Sequence, residues 1–362
     1  MNLHTPAQQI PRPPCAAPDA ADPFAATGEP LRWGVVATGR IAGNVTQDLA
    51  GLEDSVLQAV SSRSQESARA FAEEFGFVAS YYDADGETGY QRLFNDPDVD
   101  VVYIATPHAQ HYQVAKAALE SGKHVLCEKA FTVNAREAAE LIDLARTRNL
   151  FLMEALWSRF LPSVNRAWEI IHSGELGEIQ WVQADLSFPS DHSRTHRLWD
   201  PAAGGGALLD LTVYPLTWAL GALGFPAAVT ATGALNDDNI DTQNALTLSY
   251  EGGGQAQLTS SLVSSGPGQA TVSGSAGWLR TGSVLHNPRE LTIHPHQGEQ
   301  RVETFEQAGR GYVYELRETT RCIQQGLTES PTMPWADTLN TMRLLDGVRN
   351  QLGLRYANDD GE

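Results

Sequence analysis

Short apolar runs alternate with amphipathic stretches from residue 31 to about residue 155. Five runs have the length and apolar content of buried strands: RWGVVA, VLQAVSS, DVVYIAT, HVLCE and LFLMEA. A stretch with helical spacing follows each of the first four. One such stretch, SQESARAFAEEFG, begins at a serine and ends at a glycine; another places Asn134 and Glu137 in the register of a capping box. This alternation predicts a parallel sheet with helices on both faces.

After about residue 153 the apolar positions recur every second residue. The runs EIQWVQADLSF, AAVTATGAL, TQNALTLSY, GQAQLTSSLV, QATVSGSAGWLRTG and ELTIHP predict strands of a large antiparallel sheet. Helical spacing precedes them in SVNRAWEIIHSG and returns in YELRETTRCIQQGL and ADTLNTMRLLDGVRNQLG. The predicted fold class is α/β: an N-terminal Rossmann-type doubly wound parallel sheet, then a C-terminal α+β domain with a large open, mainly antiparallel sheet.

The chain of 362 residues is longer than one hydrophobic core usually covers, so we expect two domains. The predicted division is a flexible Pro- and Ala-rich arm (1–30), a nucleotide-binding domain (31–153) and a substrate-binding and oligomerisation domain (154–362). The arm could instead wrap a neighbouring subunit.

The net charge of −19 argues against nucleic acid or an anionic membrane as a partner. The uninterrupted apolar runs are shorter than the roughly 18 residues of a membrane span. Three cysteines far apart make a poor disulfide framework, and the N-terminus lacks the hydrophobic core of a signal peptide. We therefore expect a reducing, cytoplasmic location.

The first strand–helix turn, ATGRIA (37–42), is a partial dinucleotide fingerprint. In the full pattern, glycines let the backbone approach a pyrophosphate at the helix N-terminus, whereas here Ala37 replaces the first glycine. The position of the turn, at the start of an alternating α/β domain, favours a cofactor site. The predicted contacts in it are Ala37, Thr38, Gly39, Arg40 and Ile41.

The end of the second predicted strand bears on the choice of cofactor. NAD enzymes usually place Asp or Glu there for the ribose 2′-hydroxyl, but this chain has Ser61, Ser62 and Arg63. No carboxylate repels a 2′-phosphate, and an arginine can bind one through charge-assisted hydrogen bonds. The sequence therefore predicts NADP, with NAD as the less favoured cofactor, and Ser62 and Arg63 as its contacts.

Lysine is rare in this chain: three of the 25 basic residues are lysine, and one of them, Lys129, follows the strand HVLCE. Lysine differs from arginine in offering a compact cation that can titrate. Downstream, GGGALLDLTVYPL places Asp210 and Tyr214 one helical turn apart. A tyrosine beside a lysine can act as general acid/base on an alcohol, with a carboxylate orienting the pair. Alternatively, Tyr214 packs in the core and Asp210 caps a helix.

The chain resembles the glucose–fructose oxidoreductase/inositol dehydrogenase/MocA family over residues 31 to 355. The resemblance is carried by the segments RWGVVATGRIA, TPHAQHYQVAKAALESGKHVLCEKA and GGGALLDLTVYPL. MEALWSRFLP and the C-terminal segment are most similar to its dihydrodiol dehydrogenase and NADP-dependent D-xylose dehydrogenase branch. The resemblance implies that Lys129 is catalytic with Tyr214 and Asp210, and that an open sheet forms the subunit interface. Ala130 stands where the family has proline. The further cofactor contacts predicted are Thr106, Pro107, His108, His111, Glu128 and Lys129.

The segment DHSRTHRLWDP (191–201) contains Asp191, His192 and His196, which could suggest a metal site. The prolines and polar residues around it indicate a loop, so we predict no metal and a loop that contacts substrate. The predicted substrate contacts are Trp157, Arg159, Arg197, Trp199, Asp210 and Tyr214.

These patterns predict an NADP-dependent dehydrogenase or reductase. Its substrate would be a secondary or hemiacetal CH–OH of a sugar, such as the aldose D-xylose, or of a cyclic diol. A non-catalytic NAD(P)-binding regulatory protein of the same fold is the alternative. Small, uncharged outward positions in QAQLTSSLV and QATVSGSA predict a homodimer or dimer of dimers through the open sheet.

Overall fold

The first sheet has six parallel strands in the order β3-β2-β1-β4-β5-β6, the doubly wound order typical of dinucleotide-binding folds. A computed structural model describes residues 22–191 and 196–360. The strands are β1 (Leu31–Val36), β2 (Ser55–Ser62), β3 (Ala79–Tyr82), β4 (Val101–Ile104), β5 (His124–Glu128) and β6 (Leu152–Ala155). The parallel sheet inferred from the alternating pattern is confirmed.

Helices connect these strands, and their ends carry the capping residues that the sequence predicts. They are α1 (Arg40–Leu49), α2 (Gln65–Phe75), α3 (Gly89–Phe94), α4 (His108–Glu120) and α5 (Ala135–Arg148). Ser64 accepts a hydrogen bond from the Ser67 amide, and Asn134 accepts one from the Glu137 amide. Strand β3 was not predicted because its four half-buried residues form no apolar run, and helix α3 was not predicted because six residues are too few to show a helical period.

The compact unit around this sheet runs to Trp157 and also contains Ala308–Leu339, near the end of the chain. That late segment carries α8 (Val313–Gln324) and the start of α9 (Trp335–Leu352). From its position in the sequence this segment was predicted to belong to the second domain, because a hydrophobic period does not reveal which sheet a late helix packs on.

Two buried carboxylates fasten the late segment to the first unit. The Asp48 carboxylate accepts hydrogen bonds from the backbone amides of Arg310, Tyr312 and Val313 at 2.8 to 3.1 Å. The Arg317 guanidinium lies 2.8 Å from Asp54 and also donates to the carbonyls of two residues in the chain before β1, Pro23 and Phe24.

The arm predicted over residues 1–30 is described from residue 22, and its remainder lies outside the described residues, as does Cys15. In the described part, the Thr27 amide and hydroxyl donate to Asp54, and the Thr27 hydroxyl accepts from Arg317. This part of the arm is therefore bonded to its own chain.

The second unit contains Ser158–Gln307 and the chain from Asn340 onwards. Its sheet has eight strands in the order β14-β13-β12-β11-β7-β10-β9-β8. They are β7 (Ile179–Ser187), β8 (Ala228–Leu235), β9 (Asp241–Ser249), β10 (Gln255–Ser261), β11 (Ala270–Gly274), β12 (Gly277–Thr281), β13 (Glu290–Pro295) and β14 (Arg301–Thr304).

The antiparallel prediction for this sheet is correct except for one pair, since β7 and β10 run parallel. The run predicted as one strand, QATVSGSAGWLRTG, is a hairpin of β11 and β12. Strand β14, with four residues, was not predicted.

Helices α6 (Pro162–His172) and α7 (Val213–Leu223) belong to this unit, and α7 packs on β7, β10 and β11 in the middle of the sheet. By length and composition, the helical stretch Pro201–Leu223 could cross a membrane, but 94% of its apolar window is buried inside the protein. Such burial is typical of a core helix, and Trp218 on α7 is 1% exposed.

Candidate active site

The turn between β1 and α1 has the backbone of a nucleotide-binding turn although its first glycine is Ala37. Ala37 has φ +88°, in the left-handed region that glycine favours, and its amide donates to the Ser61 carbonyl at 2.9 Å. Gly39 begins α1 without a side-chain cap, and the first turn carries no acidic residue. A Cβ on Gly39 would meet no heavy atom within 4 Å. The helix N-terminus is therefore open to an anion, as cofactor binding requires.

Replacing Ala37 by glycine should stabilise the protein by about 0.5–1 kcal/mol. Glycine removes a left-handed alanine that costs roughly 1–2 kcal/mol, and part of this gain is lost to the greater freedom of the unfolded chain. Urea unfolding of Ala37→Gly beside the wild type measures the difference. Ala70→Gly on the exposed side of α2 is the control, and we expect it to destabilise by about 1 kcal/mol. Destabilisation of both variants by the same amount would contradict the account of Ala37.

The end of β2 lies beside this turn. The Ser62 hydroxyl is 3.3 Å from the Thr38 hydroxyl, whereas Ser61 is 2% exposed and faces the interior. The Arg63 side chain is exposed, and within residues 22–191 and 196–360 it takes part in no ion pair. A guanidinium and two hydroxyls here fit a phosphate on an adenosine ribose.

The turn after β4 supplies further polar groups at the same, carboxyl-terminal edge of the parallel sheet. Thr106 has a buried hydroxyl that finds no hydrogen-bond partner among the described residues. Pro107 begins α4 without a side-chain cap, and His108 follows it at 5% exposure. An orphaned hydroxyl beside an uncapped helix fits a bound nucleotide that supplies the missing partner.

His111 has a different place from the one predicted for it. Its ring is fully buried, with Nδ1 2.9 Å from the Ala130 carbonyl and Nε2 2.8 Å from the Thr106 carbonyl. Burial lowers the pKa of His111, as does the charge of Lys129. With both ring nitrogens facing main-chain oxygens, His111 joins the turn after β4 to the turn after β5 and offers no group to a cofactor.

Lys129 follows β5 in a turn that is held from several sides. The Tyr103 hydroxyl donates to the Glu128 carboxylate at 2.6 Å, and the Lys129 amide donates to the same carboxylate at 3.2 Å. The Phe131 amide donates to Glu154, which the sequence analysis did not single out. The peptide bond between Lys129 and Ala130 is cis. The half-buried Lys129 side chain therefore starts from a fixed backbone.

Glu315 on α8 is a buried acid near this turn, and neither of its carboxyl oxygens has a hydrogen-bond partner among the described residues. Burial raises the pKa of Glu315 well above its ordinary value, and the charges of Glu128 and Asp48 raise it further. Between the unfolded and folded pKa values, the folded protein binds more protons than the unfolded chain. Folding stability due to this group is therefore lost as the pH rises above about 4.3.

Glu315→Gln should therefore be more stable than the wild type at pH 7 to 8, with an advantage that shrinks towards pH 4. The slope of the difference approaches about 1.4 kcal/mol per pH unit between the two pKa values. Urea unfolding at several pH values measures it. Glu73→Gln, on the exposed face of α2, should give a difference that barely changes with pH. A pH-independent difference for Glu315→Gln would mean that Glu315 is ionised in the folded protein.

In the second unit, the three glycines before the predicted helix allow close backbone contacts. A Cβ on Gly205 would lie 2.6 Å from the Leu198 carbonyl, and one on Gly206, where φ is +120°, would lie 2.1 Å from the Asp241 carboxylate. Glycine at these positions lets the short turn Arg197–Trp199 approach the helix start. The Arg197 guanidinium is then 2.9 Å from the Asp210 carboxylate.

The helix that carries Asp210 and Tyr214 begins with a π turn, Leu208–Thr212, and continues as α7. The sequence pattern predicts a helix here but not this wider turn. Asp210 is 5% exposed and Tyr214 is 8% exposed, with the Tyr214 ring centroid 4.9 Å from that of His286. The structure thus brings Arg197, Asp210, Tyr214 and His286 into one group, of which His286 was not predicted.

The other predicted substrate contacts are mostly buried. Trp157 is 6% exposed and lies against the Tyr312 ring, with centroids 4.6 Å apart, while the Arg159 guanidinium lies over the Trp168 ring. The Trp199 indole donates to Ser190. Their contact with substrate stays a prediction. His192 lies outside the described residues, and the described part of the chain contains no cluster of three or more metal-ligating side chains.

A doubly wound sheet, an uncapped glycine-containing turn and an orphaned hydroxyl at the carboxyl edge of its strands are features of a dinucleotide-binding Rossmann domain. The family model described as an oxidoreductase family with an NAD-binding Rossmann fold matches residues 31–156. The GFO/IDH/MocA C-terminal domain matches residues 164–280. The chain belongs to the GFO/IDH/MocA oxidoreductase family.

Among curated relatives, trans-1,2-dihydrobenzene-1,2-diol dehydrogenase of Mus musculus is 33% identical, over 91% of this chain and 99% of the relative. D-xylose 1-dehydrogenase (NADP(+)) of Hypocrea jecorina is 32% identical, over 91% and 95%. A solved 3-ketoreductase from Actinomadura kijaniata, in complex with NADP and TDP-benzene, is 28% identical with a TM-score of 0.78, over 90% and 98%. The predicted family is confirmed.

Proposed function

We propose that this protein is an NADP-dependent oxidoreductase that acts on a secondary or hemiacetal CH–OH of a sugar or a cyclic diol. The observation that carries the proposal is the end-to-end similarity to a dihydrodiol dehydrogenase and to a D-xylose dehydrogenase. Both relatives are dehydrogenases by name. Their similarity to this chain supports a catalytic role over the non-catalytic alternative.

NADP is the proposed cofactor because the chain offers phosphate partners where an NAD enzyme has a carboxylate. Arg63 and Ser62 at the end of β2 would hold the 2′-phosphate, and the open helix start at Gly39 would receive the pyrophosphate. The Hypocrea jecorina relative is named for NADP, and the Actinomadura kijaniata structure contains it. When bound, NADP supplies the ring that accepts or donates a hydride.

Tyr214 is the proposed general acid/base for the hydroxyl group of the substrate. Its phenolate oxygen would take the alcohol proton when the substrate is oxidised, and the neutral hydroxyl would return that proton in reduction. Lys129 is a cation on a fixed turn and is proposed to stabilise the oxyanion that this proton transfer creates. Asp210, held by Arg197 at 2.9 Å, is proposed to orient these groups.

A substrate panel tests the proposal. Purified protein is mixed with NADP⁺ or NAD⁺ and with D-xylose, other aldoses, inositols and benzene dihydrodiol, and the absorbance of reduced nicotinamide is followed. We expect turnover of at least one aldose or diol, with a higher kcat/KM for NADP⁺. If NADP binds tightly but no substrate in the panel reacts, the catalytic proposal is wrong.

We also propose that the protein is a cytoplasmic homo-oligomer that uses the open sheet face. On β9, the exposed residues are small or polar and uncharged, namely Gln243, Ala245, Thr247 and Ser249. A solvated sheet face normally carries more charge, which supports a second copy as its partner. Cys127 and Cys322 are unpaired and buried, which suits a reducing compartment. A monomeric mass from light scattering at micromolar concentration would contradict the oligomer.

A further inference from the structure

A fully buried polar network lies under the start of the helix that carries Asp210 and Tyr214. Three side chains form it: Asp241 and Thr212 at 0% exposure and Asn244 at 3%. Asp241 begins β9, Asn244 lies three residues along the same strand, and Thr212 ends the π turn. None of the three was predicted as a site residue.

The hydrogen bonds of this network connect the strand to the π turn at both of its ends. The Asp241 carboxylate accepts the Leu208 amide at 2.7 Å, which caps a backbone donor at the start of the turn. The same Asp241 oxygen accepts the Asn244 amide group at 3.2 Å. The Asn244 carbonyl oxygen is in turn 3.1 Å from the Thr212 hydroxyl.

Thr212 also contacts the backbone within the π turn itself. Its hydroxyl lies 3.3 Å from the carbonyl of Ala207, five residues earlier, which is the spacing of a π turn. Apolar side chains alone can cover this face of β9, because Leu246 and Leu248 on the same face are buried. The single Asn among those leucines is the sequence signal that could have identified the network.

Burying these groups has a cost. A buried amide or hydroxyl costs roughly 1–3 kcal/mol unless it is bonded, and a buried carboxylate costs more. Burial raises the pKa of Asp241 to about 7, and the hydrogen bonds from Asn244 and the Leu208 amide oppose this rise. The buried Asp241 carboxylate also requires glycine at position 206, because any side chain there would collide with it. Because its hydrogen bonds form in one geometry only, such a network fixes the backbone conformation of the π turn more strictly than apolar packing does.

We propose that Asp241, Asn244 and Thr212 are positioning residues that hold the π turn in the one winding that directs Asp210 and Tyr214 to the substrate. This inference rests on the roles proposed above for those two residues. The described hydrogen bonds of the network reach the Leu208 amide, the Ala207 carbonyl and the Thr212 hydroxyl. Its effect on the reaction is exerted through the backbone of residues 208 to 214, so its loss should lower kcat more than it raises KM.

Thr212→Val is the central variant, because valine has nearly the same shape but no hydroxyl. We expect kcat for D-xylose or benzene dihydrodiol to fall about tenfold, with a smaller change in KM and an unchanged Kd for NADP. Thr212→Ser, which keeps the hydroxyl, should restore most of the loss. Thr217→Val is the matched control: it removes a buried threonine hydroxyl from the same helix, but one bonded only to the Val213 carbonyl. It should leave kcat within about twofold of the wild type.

A double-mutant cycle separates positioning from general damage. If Thr212 acts through Tyr214, Thr212→Val should lower kcat only slightly further when Tyr214 is already replaced by phenylalanine. A general structural defect would instead lower kcat by the same factor in the wild-type and Tyr214→Phe backgrounds. Asn244→Ala, in place of Thr212→Val, gives the same test if the valine variant does not fold.

The outcomes distinguish this inference from the proposed function. Equal kcat for Thr212→Val and Thr217→Val, while Tyr214→Phe is impaired, would overturn the positioning role alone. Full activity of Tyr214→Phe would overturn the proposed function, and the positioning role with it.

Discussion

Lys129→Met and Tyr214→Phe should each lower kcat by about 100-fold or more, while NADP binding stays close to that of the wild type. Methionine keeps most of the lysine side-chain volume without the charge, and phenylalanine differs from tyrosine by the hydroxyl alone. Steady-state kinetics on the best substrate of the panel, together with cofactor titration by fluorescence, measures both quantities. The double variant should lose little more than either single variant if the two residues act in the same step.

Two matched controls accompany these variants. Tyr250→Phe removes a buried hydroxyl that has no partner among the described residues, and Lys116→Met removes a lysine that contacts Tyr112 on α4. Both should keep kcat within about twofold of the wild type. Unimpaired turnover in Lys129→Met or Tyr214→Phe would remove that residue from the catalytic group.

Exchanging the residues at the end of β2 should change the preferred cofactor. Ser62→Asp with Arg63→Ala removes the cation and adds a carboxylate that repels a 2′-phosphate and can accept the ribose hydroxyl of NAD. Position 62 suits the carboxylate because its side chain is half-buried and reaches Thr38, whereas Ser61 points inward. The ratio of kcat/KM for NADP to that for NAD should fall by about 30- to 1000-fold, or about 2–4 kcal/mol.

The two single variants show how much each change contributes to the shift in the kcat/KM ratio. Arg63→Ala measures the lost attraction to the 2′-phosphate, and Ser62→Asp measures the added repulsion. Arg136→Ala, which removes an exposed arginine paired with Glu140 on α5, is the control and should leave the ratio unchanged. A wild-type protein that already prefers NAD would show that Arg63 is a surface residue at a helix start.

The elements predicted correctly from the sequence have a local pattern, which is either a contiguous apolar run or a period that repeats. Five strands of the parallel sheet, the serine and asparagine caps and most of the second sheet belong to this group. Strands β3 and β14 were missed because their residues are half-buried or exposed and form no apolar run, unlike the equally short but buried β4 and β6. The left-handed backbone of Ala37 could be suspected only from its place in a glycine pattern.

The residues of the candidate site divide along similar lines. Lys129, Asp210 and Tyr214 are predicted from residue type and spacing, because proton transfer needs those groups, and their catalytic roles stay predictions. The π turn was not predictable from 208–212, since its hydrogen-bond partners lie more than 30 residues later on β9. His111 was predicted as a cofactor contact together with the residues of the family resemblance, whereas its burial against two carbonyls depends on the fold.

The attachment of residues 310–317 to the first unit affects how the chain matures during synthesis. Until those residues leave the ribosome, Asp48 lacks its amide donors, and Asp54 has Thr27 but lacks the Arg317 guanidinium, so two carboxylates that the finished unit buries are incompletely bonded. The nucleotide-binding half is made first but should become resistant to protease only after the last helices are complete. A fragment ending at residue 307 should therefore be degraded by a low dose of protease that leaves the whole chain intact. Equal resistance of the fragment and the whole chain would show that the first half folds unaided.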